Sequence, residues 1–196
     1  MIESIEHIDR DLFLYFNGIH SPTMDTVMWY ISSTILWIPL FMFFLYYTYK
    51  KYSWKGVLVL VLGAALCILF ADQISVRLFK NVFQRFRPTH NTEIGDLVHT
   101  VFKPNGEEYR GGRYGFVSSH AANFGALATY FFFLFRSYSK WWILLFVWAA
   151  LIGYSRIYLG VHYPADVVCG GILGFAIGFG IHHLRKRFVP LKPLSS

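Results

Sequence analysis

Long apolar runs, separated by shorter polar stretches, dominate the pattern of this chain. About 20 consecutive apolar residues suffice for a helix to cross the hydrocarbon core of a bilayer. Runs of that kind lie at about residues 24–49, 54–79, 118–135, 141–158 and 164–184. The pattern therefore predicts an all-α, polytopic membrane helix bundle that forms a single domain over residues 1–196.

The first 22 residues follow a different pattern. Apolar residues recur there at intervals of three and four, at Ile5, Ile8, Leu12 and Phe16. Charged residues lie between the first three of these positions, which is typical of an amphipathic helix. We expect segment 1–22 to form such a helix and to lie along the membrane surface.

Composition strengthens the membrane interpretation. The 196 residues are 55% hydrophobic and only 15% charged. A soluble domain of ordinary composition has about 45–50% apolar and about 25% charged residues. We therefore expect an integral membrane protein.

Basic residues indicate the orientation. With five spans, the first-to-second loop, the third-to-fourth loop and the C-terminal tail share one face, which has nine Lys and Arg and no acidic residue. Because cytoplasmic loops are enriched in basic residues, this face is predicted to be cytoplasmic. The N-terminus and the polar segment 89–116 then face the periplasm or exterior. That segment is either a lid or headgroup reader, or a solvated connector.

A basic group of residues follows the second span. In a continuous helix, Lys80 and Arg87 would share one face with Arg77 and Gln84, because they recur at three- and four-residue intervals. Pro88 would then end the helix. The face could bind phosphate, or it could be a collar that snorkels to lipid headgroups.

A second polar group, Val117-Ser118-Ser119-His120, opens the third span. Ser118 or Ser119 can cap the helix, whose free N–H groups would bind an anion. His120 would then stand beside a bound phosphate, able to deliver a proton. The alternative is a solvated interfacial histidine.

A third group lies between the fourth and fifth spans. If a helix begins near Tyr163 and Pro164, His162 and Asp166 lie on one side of its first turn. Asp166 would orient the imidazole for nucleophilic attack, and the guanidinium of Arg156 favours an anionic target such as phosphate. His162 and Asp166 could instead bind a metal, but the many Lys and Arg residues would repel a cation. We expect no metal and no cofactor.

The three groups together resemble the motifs of the type 2 phosphatidic acid phosphatase family, which shares its site with vanadium haloperoxidases. Those motifs are K-x6-R-P, P-S-G-H and S-R-x5-H-x3-D. The first and third match at every defining position, and the second has Val117 for Pro and Ser119 for Gly. The resemblance covers about residues 54–184.

The resemblance implies a metal-independent phosphatase that works through a phosphohistidine intermediate. His162 would be the nucleophile, oriented by Asp166. His120 would protonate the leaving oxygen and then activate water. The phosphoryl oxygens would be bound by Lys80, Arg87, Ser118, Ser119 and Arg156.

The resemblance also implies an amphiphilic lipid phosphate as substrate and membrane lipids as partners, with no nucleic acid. Members of the family act on undecaprenyl diphosphate, lipid A, phosphatidylglycerophosphate and phosphatidate. The compact chain and short loops indicate a bacterial protein, which we expect in the cytoplasmic (inner) membrane. Among the lipids of the family we favour undecaprenyl diphosphate, with lipid A as the nearest alternative. A phosphotransferase that passes phosphate from one lipid to another would use the same intermediate.

Overall fold

Helices make up most of the computed structural model, which describes residues 2–103 and 105–194. The α-helices are α1 (Ile2–Gly18), α2 (Pro22–Ser32), α3 (Ile38–Ile74), α4 (Asn81–Phe83), α5 (Ser119–Phe135), α6 (Leu144–Tyr158) and α7 (Pro164–Phe188). Two short strands, β1 (Val101–Phe102) and β2 (Glu108–Tyr109), pair antiparallel. The predicted all-α membrane architecture is confirmed, with this hairpin as a small addition.

Helix α3 contains two antiparallel passes rather than one long rod. Ser53 has a φ of 62°, which interrupts the helix and lets the chain reverse. Before the break, the Phe44 ring packs 4.6 Å from the Phe131 ring of α5. After the break, the Val59 carbonyl accepts a hydrogen bond from the adjacent Tyr130 hydroxyl at 3.0 Å. Both limbs of α3 therefore lie beside the same level of α5.

The prediction of one continuous helix over residues 24–49 is wrong. The chain leaves helical geometry at Ser33, which ends α2. The Ser33 hydroxyl accepts a hydrogen bond from the Ile35 amide and caps the short turn Thr34–Trp37, from which α3 begins. A serine side chain that caps a new turn competes with helix continuation. The apolar pattern runs through this break and could not reveal it.

Within the described part of the chain, three helical segments are long and apolar enough to cross a membrane, namely Thr34–Phe83, Lys140–Tyr158 and Pro164–Phe188. The first contains both passes of α3, and the 17-residue α5 lies within the bundle between them and α7. The architecture is that of an integral membrane protein.

Close packing of α5 on α7 brings the starts of these two helices together. A Cβ on Gly174 would lie only 2.3 Å from the Ala122 carbonyl oxygen, so a larger residue would force the helices apart. At the start of α5, the Ser118 amide donates to the Asp166 carbonyl at 3.0 Å. Small residues thus place two of the predicted motifs in direct contact.

The described part of segment 89–116 packs over the same end of the bundle. Ile94 and Val101 are buried, and the Thr89 hydroxyl donates to the Arg110 carbonyl at 2.8 Å. A loose solvated connector would not bury apolar side chains in this way. That interpretation of the segment is therefore wrong, and the chain here is a structured cap beside the site.

Candidate active site

The turn between α6 and α7 carries His162, and its shape depends on a glycine. Gly160 has a φ of 75°, and a Cβ there would lie 2.7 Å from Val98 and 2.8 Å from the His99 carbonyl oxygen. Glycine alone meets both demands at low cost. The turn therefore fits closely beneath the cap segment, and His162 is buried, with 1% of its surface exposed.

His162 and Asp166 form the pair that the sequence predicted. Helix α7 begins at Pro164, so Asp166 lies in its first turn. Its Oδ2 lies 3.4 Å from His162 Nδ1 and also accepts the Tyr163 amide at 3.1 Å. We assign the imidazole proton to Nδ1 because it faces a carboxylate, which leaves the Nε2 lone pair free.

Positive charges around His162 favour its neutral form. Burial lowers the pKa of His162 well below its ordinary value, and the cationic side chains of Arg87, Arg156 and Lys80 act in the same direction. Burial, reinforced by Arg156, also lowers the pKa of Arg87 to about 10, so Arg87 stays charged near neutral pH. A neutral imidazole surrounded by cations is suited to attack on an anion.

The predicted helical face from Arg77 to Arg87 does not form. The helix passes through a wider π-helical turn, Ser75–Lys80, and stops at Gln84, whose φ is 47°. Pro88 disfavours helical geometry in the residue before it, so Arg87 is extended. Arg77 and Gln84 are consequently exposed. Lys80 reaches the site from the π-helical turn, and Arg87 reaches it from the extended stretch that follows the helix.

Lys80 is held by Ser119, which occupies the position of the glycine in the second family motif. Its Nζ donates to Ser119 Oγ at 2.7 Å, and Ser119 Oγ lies 2.8 Å from Ser75 Oγ. Ser118 instead caps α5, because its Oγ accepts the Ala121 amide at 3.4 Å. Of the two serines considered as caps, Ser118 takes that position and Ser119 orients Lys80.

Arg156 and His120 line one cavity of about 190 Å³. The Arg156 guanidinium donates to the Ser32 hydroxyl and, at 2.6 Å, to the Tyr109 hydroxyl. Its Nε has no hydrogen-bond partner among the described residues. The Trp29 ring packs edge-on against Tyr109 at 5.2 Å and forms another wall. The break after α2 and the β-hairpin thus supply the cavity walls.

Sequence reasoning missed several residues that hold this site. Ser32 and Tyr109 gave no signal, since each comes from a segment without a motif. Arg85 lies within the six unspecified positions of the first motif, yet it donates to Asp166 Oδ1 at 2.9 Å and to Asp9 Oδ2 at 2.7 Å. The one available signal for Asp9 was an acidic residue within an amphipathic helix.

The structure brings the three predicted motifs together at one end of the bundle. The site combines a buried imidazole, a second imidazole and three cationic side chains, an arrangement that can stabilise a phosphoryl group during transfer. Residues 2–103 and 105–194 contain no cluster of three or more His, Cys, Asp or Glu side chains that could hold a metal ion. Metal independence stays a prediction.

The family model described as the PAP2 superfamily matches residues 61–190. The chain belongs to the PAP2 superfamily. This PAP2 protein is 43% identical to a lipid A 4'-phosphatase of Bacteroides thetaiotaomicron over 183 residues, which are 92% of this chain and 76% of the relative. It is 36% identical over 192 residues to a lipid A 4'-phosphatase of Porphyromonas gingivalis, covering 96% of this chain and 79% of the relative.

The PAP2 fold also matches a solved structure. A transmembrane PAP2-type phosphatidylglycerolphosphate phosphatase from Bacillus subtilis superposes with a TM-score of 0.67 at 21% identity, over 96% of this chain and 90% of that one. The family predicted from the three motifs is therefore confirmed, and so is its class, a membrane lipid phosphatase.

Proposed function

We propose that this PAP2 protein removes the 4'-phosphate from lipid A or from a closely related phosphorylated glycolipid. The observation that carries the choice of substrate is similarity at 43% and 36% identity, over nearly the whole chain, to two lipid A 4'-phosphatases. The sequence analysis favoured undecaprenyl diphosphate, but the three motifs are shared across the family and do not discriminate among its lipids.

The proposed reaction begins at His162. Its Nε2 attacks phosphorus, and an N–P bond forms while the bond from phosphorus to the lipid oxygen breaks. Asp166 stabilises the positive charge that develops on the imidazole. Burial and the neighbouring cations lower the pKa of His120 to about 2, so in this proposal His120 takes up a proton from solvent only when the phosphate anion is bound. It then donates that proton to the departing lipid oxygen. Water then attacks phosphorus and passes a proton to His120, while the N–P bond to His162 breaks. Phosphate is released and both histidines are restored.

Cationic side chains would take the place of a metal. We assign binding of the phosphoryl oxygens to Lys80, Arg87 and Arg156. Ser118 places the N-terminus of α5 beside the phosphate, where backbone N–H groups bind anions. Ser119 acts in this proposal through Lys80, whose ammonium it already orients.

The walls of the cavity support a substrate that contains a sugar. Trp29 and Tyr109 offer aromatic surface against the apolar face of a sugar ring, while Ser32 and Ser33 offer hydroxyl groups nearby. A prenyl diphosphate has no sugar ring to use these contacts. The cavity lies directly beside His120 and Arg156, where the phosphate of a glycolipid would enter.

We also propose that the site faces the periplasm or exterior. The loops and tail with the basic residues gather at the opposite end of the bundle, where the Tyr52 and Tyr138 rings lie 6.0 Å apart and the Leu194 amide donates to the Lys51 carbonyl. This end is the one that the basic-residue rule assigns to the cytoplasm.

Phosphate release by the purified protein, with a chelator present, tests the proposal. The panel consists of lipid A with its 4'-phosphate, undecaprenyl diphosphate, phosphatidylglycerophosphate and phosphatidate. We expect kcat/KM for lipid A to exceed the others by about 10-fold or more. A preference for undecaprenyl diphosphate overturns the substrate, and loss of activity with chelator overturns metal independence. Phosphate found on a second lipid would identify a phosphotransferase.

A further inference from the structure

Helix α1 has two distinct stripes, and only one of them matches the predicted apolar face. Ile8 and Leu12 belong to that predicted face, yet both are exposed. Asp9, Phe13 and Asn17 recur every four residues and are buried, with 6%, 0% and 1% of their surfaces exposed. A helix that only rested on the membrane would have no reason to bury two polar residues. The buried stripe therefore points to a specific contact with the protein.

Both oxygens of Asp9 are bound close to the catalytic pair. Oδ1 accepts the Ala165 amide at the start of α7 at 2.8 Å, and Oδ2 accepts from Arg85 Nη2 at 2.7 Å. The other arm of the guanidinium, Arg85 Nη1, donates to Asp166 Oδ1 at 2.9 Å. The guanidinium also stacks 4.1 Å over the Tyr163 ring. Arg85 is thus a rigid bridge between two buried carboxylates.

The rest of the buried stripe holds the other side of the same turn. Asn17 Nδ2 donates to the Tyr158 carbonyl at 2.8 Å, at the end of α6, and its Oδ1 accepts the His99 amide at 2.8 Å. Phe13 packs edge-on against the Tyr163 ring at 5.4 Å. Helix α1 therefore braces the end of α6 and the start of α7, which flank the turn that carries the nucleophile.

We propose that Asp9 and Arg85 are positioning residues, which fix the Asp166 carboxylate against His162. Arg85 occupies Oδ1 of Asp166, and this leaves Oδ2 directed toward His162 Nδ1. Asp9 balances the charge of Arg85, so Arg85 does not cancel the effect of the Asp166 carboxylate on the imidazole. This inference rests on the role of His162 in the proposed function. It also gives the surface helix α1 a part in the reaction, through Arg85 and the first turn of α7.

The positioning role has an electrostatic signature that a purely structural role lacks. The charged and titratable groups around the His162 ring are Lys80, Arg87, His120, Arg156 and Asp166. Asp9→Asn removes a negative charge from this surrounding, which lowers the pKa of the imidazole. Arg85→Gln removes a positive charge, which raises it. The acidic limb of kcat/KM should move to lower pH in the first variant and to higher pH in the second.

The test compares Asp9→Asn with Asp11→Asn, the same change two residues away on the exposed side of α1. We expect Asp9→Asn to lower kcat by roughly 10-fold with little change in KM, because small misplacements of reacting groups are costly. Arg85→Gln should lower kcat further, and Asp11→Asn should behave as the unmodified protein. Each rate is normalised to the folded fraction from size-exclusion chromatography.

Three results would overturn the positioning role. They are an unchanged kcat and pH profile in Asp9→Asn, shifts of the acidic limb in the same direction in both variants, and an equal loss in Asp11→Asn. If Asp9→Asn does not fold, the direction of the shift in Arg85→Gln decides. A His162→Gln control separates the two proposals. Its continued turnover would overturn the proposed function, whereas normal Asp9→Asn activity with inactive His162→Gln would overturn only the positioning role.

Discussion

The two ends of the helix bundle are stabilised by opposite means. At the site end, buried charges satisfy one another, as Arg85 does with Asp9 and Asp166. At the far end, aromatic rings pack together, as Phe44 does with Phe131 at 4.6 Å. Removing one partner of a buried ion pair leaves the other uncompensated, whereas trimming a ring leaves only a smaller contact area. At the polar end, the contacts that stabilise the fold also position the groups that react. At the aromatic end, the contacts stabilise the fold only.

The largest effect on the reaction is expected at the polar end, from substitution of the nucleophile. We expect His162→Gln to lower turnover by roughly 10⁴-fold or more, because no other group can form the covalent intermediate. Rapid quenching with radiolabelled substrate should trap phosphoenzyme in the unmodified protein and none in the variant. Turnover within 10-fold of the unmodified rate would remove His162 from this role.

A second substitution at the polar end should have a smaller and selective effect. His120→Ala is expected to slow hydrolysis of a lipid phosphate by roughly 10²–10³-fold, since the lipid alkoxide needs a proton to leave. Hydrolysis of p-nitrophenyl phosphate should fall much less, because that leaving group departs without a proton. Equal losses on the two substrates would rule against a general acid at this position.

The smallest effect on the reaction should follow a change at the aromatic end. A buried Phe→Ala change costs about 3–5 kcal/mol in a soluble protein. Lipid tails are as apolar as the side chain, so packing alone remains, and we expect Phe44→Ala to lower the free energy of unfolding by about 2 kcal/mol. Thermal unfolding in detergent measures the loss, and kcat should stay within about twofold of normal.

The neighbouring Phe43 supplies the control for that experiment. It is 47% exposed on the lipid-facing side of the same limb, so Phe43→Ala should shift the unfolding temperature much less. A large fall in kcat in Phe44→Ala would show that the two ends are coupled and that the contrast between them is wrong.

Local spacing made the third motif predictable in three dimensions. His162 and Asp166 are four residues apart at the start of a helix that Pro164 initiates, so their contact needs little information from the rest of the fold. The first motif was different. Six residues separate Lys80 from Arg87, and the left-handed Gln84 between them ends the shared helical face. Here pairing of Phe86 with Tyr114 decides the geometry.

Helix α1 is a second case in which the sequence predicted the element but not its contacts. Its periodicity indicated a helix with one apolar face, and the helix is present. Which face contacts the protein depended on partners distant in the sequence, Arg85 for Asp9 and the carbonyl of Tyr158 for Asn17. Ile8 and Leu12 are exposed, as expected for side chains that contact lipid. In a membrane protein, the apolar face of a helix can therefore be the face that points away from the rest of the protein.

The sequence by itself determined the membrane class, the family and the residues that carry its motifs, because apolar runs and motif spacing are local properties of the chain. Tertiary structure alone decided that α3 reverses at Ser53, that Ser119 holds Lys80, and that Arg85 bridges Asp9 and Asp166. Those contacts join segments up to 156 positions apart, as in the bond from Ala165 to Asp9. Their formation depends on how the helices pack, since no local pattern encodes which buried charge will meet which.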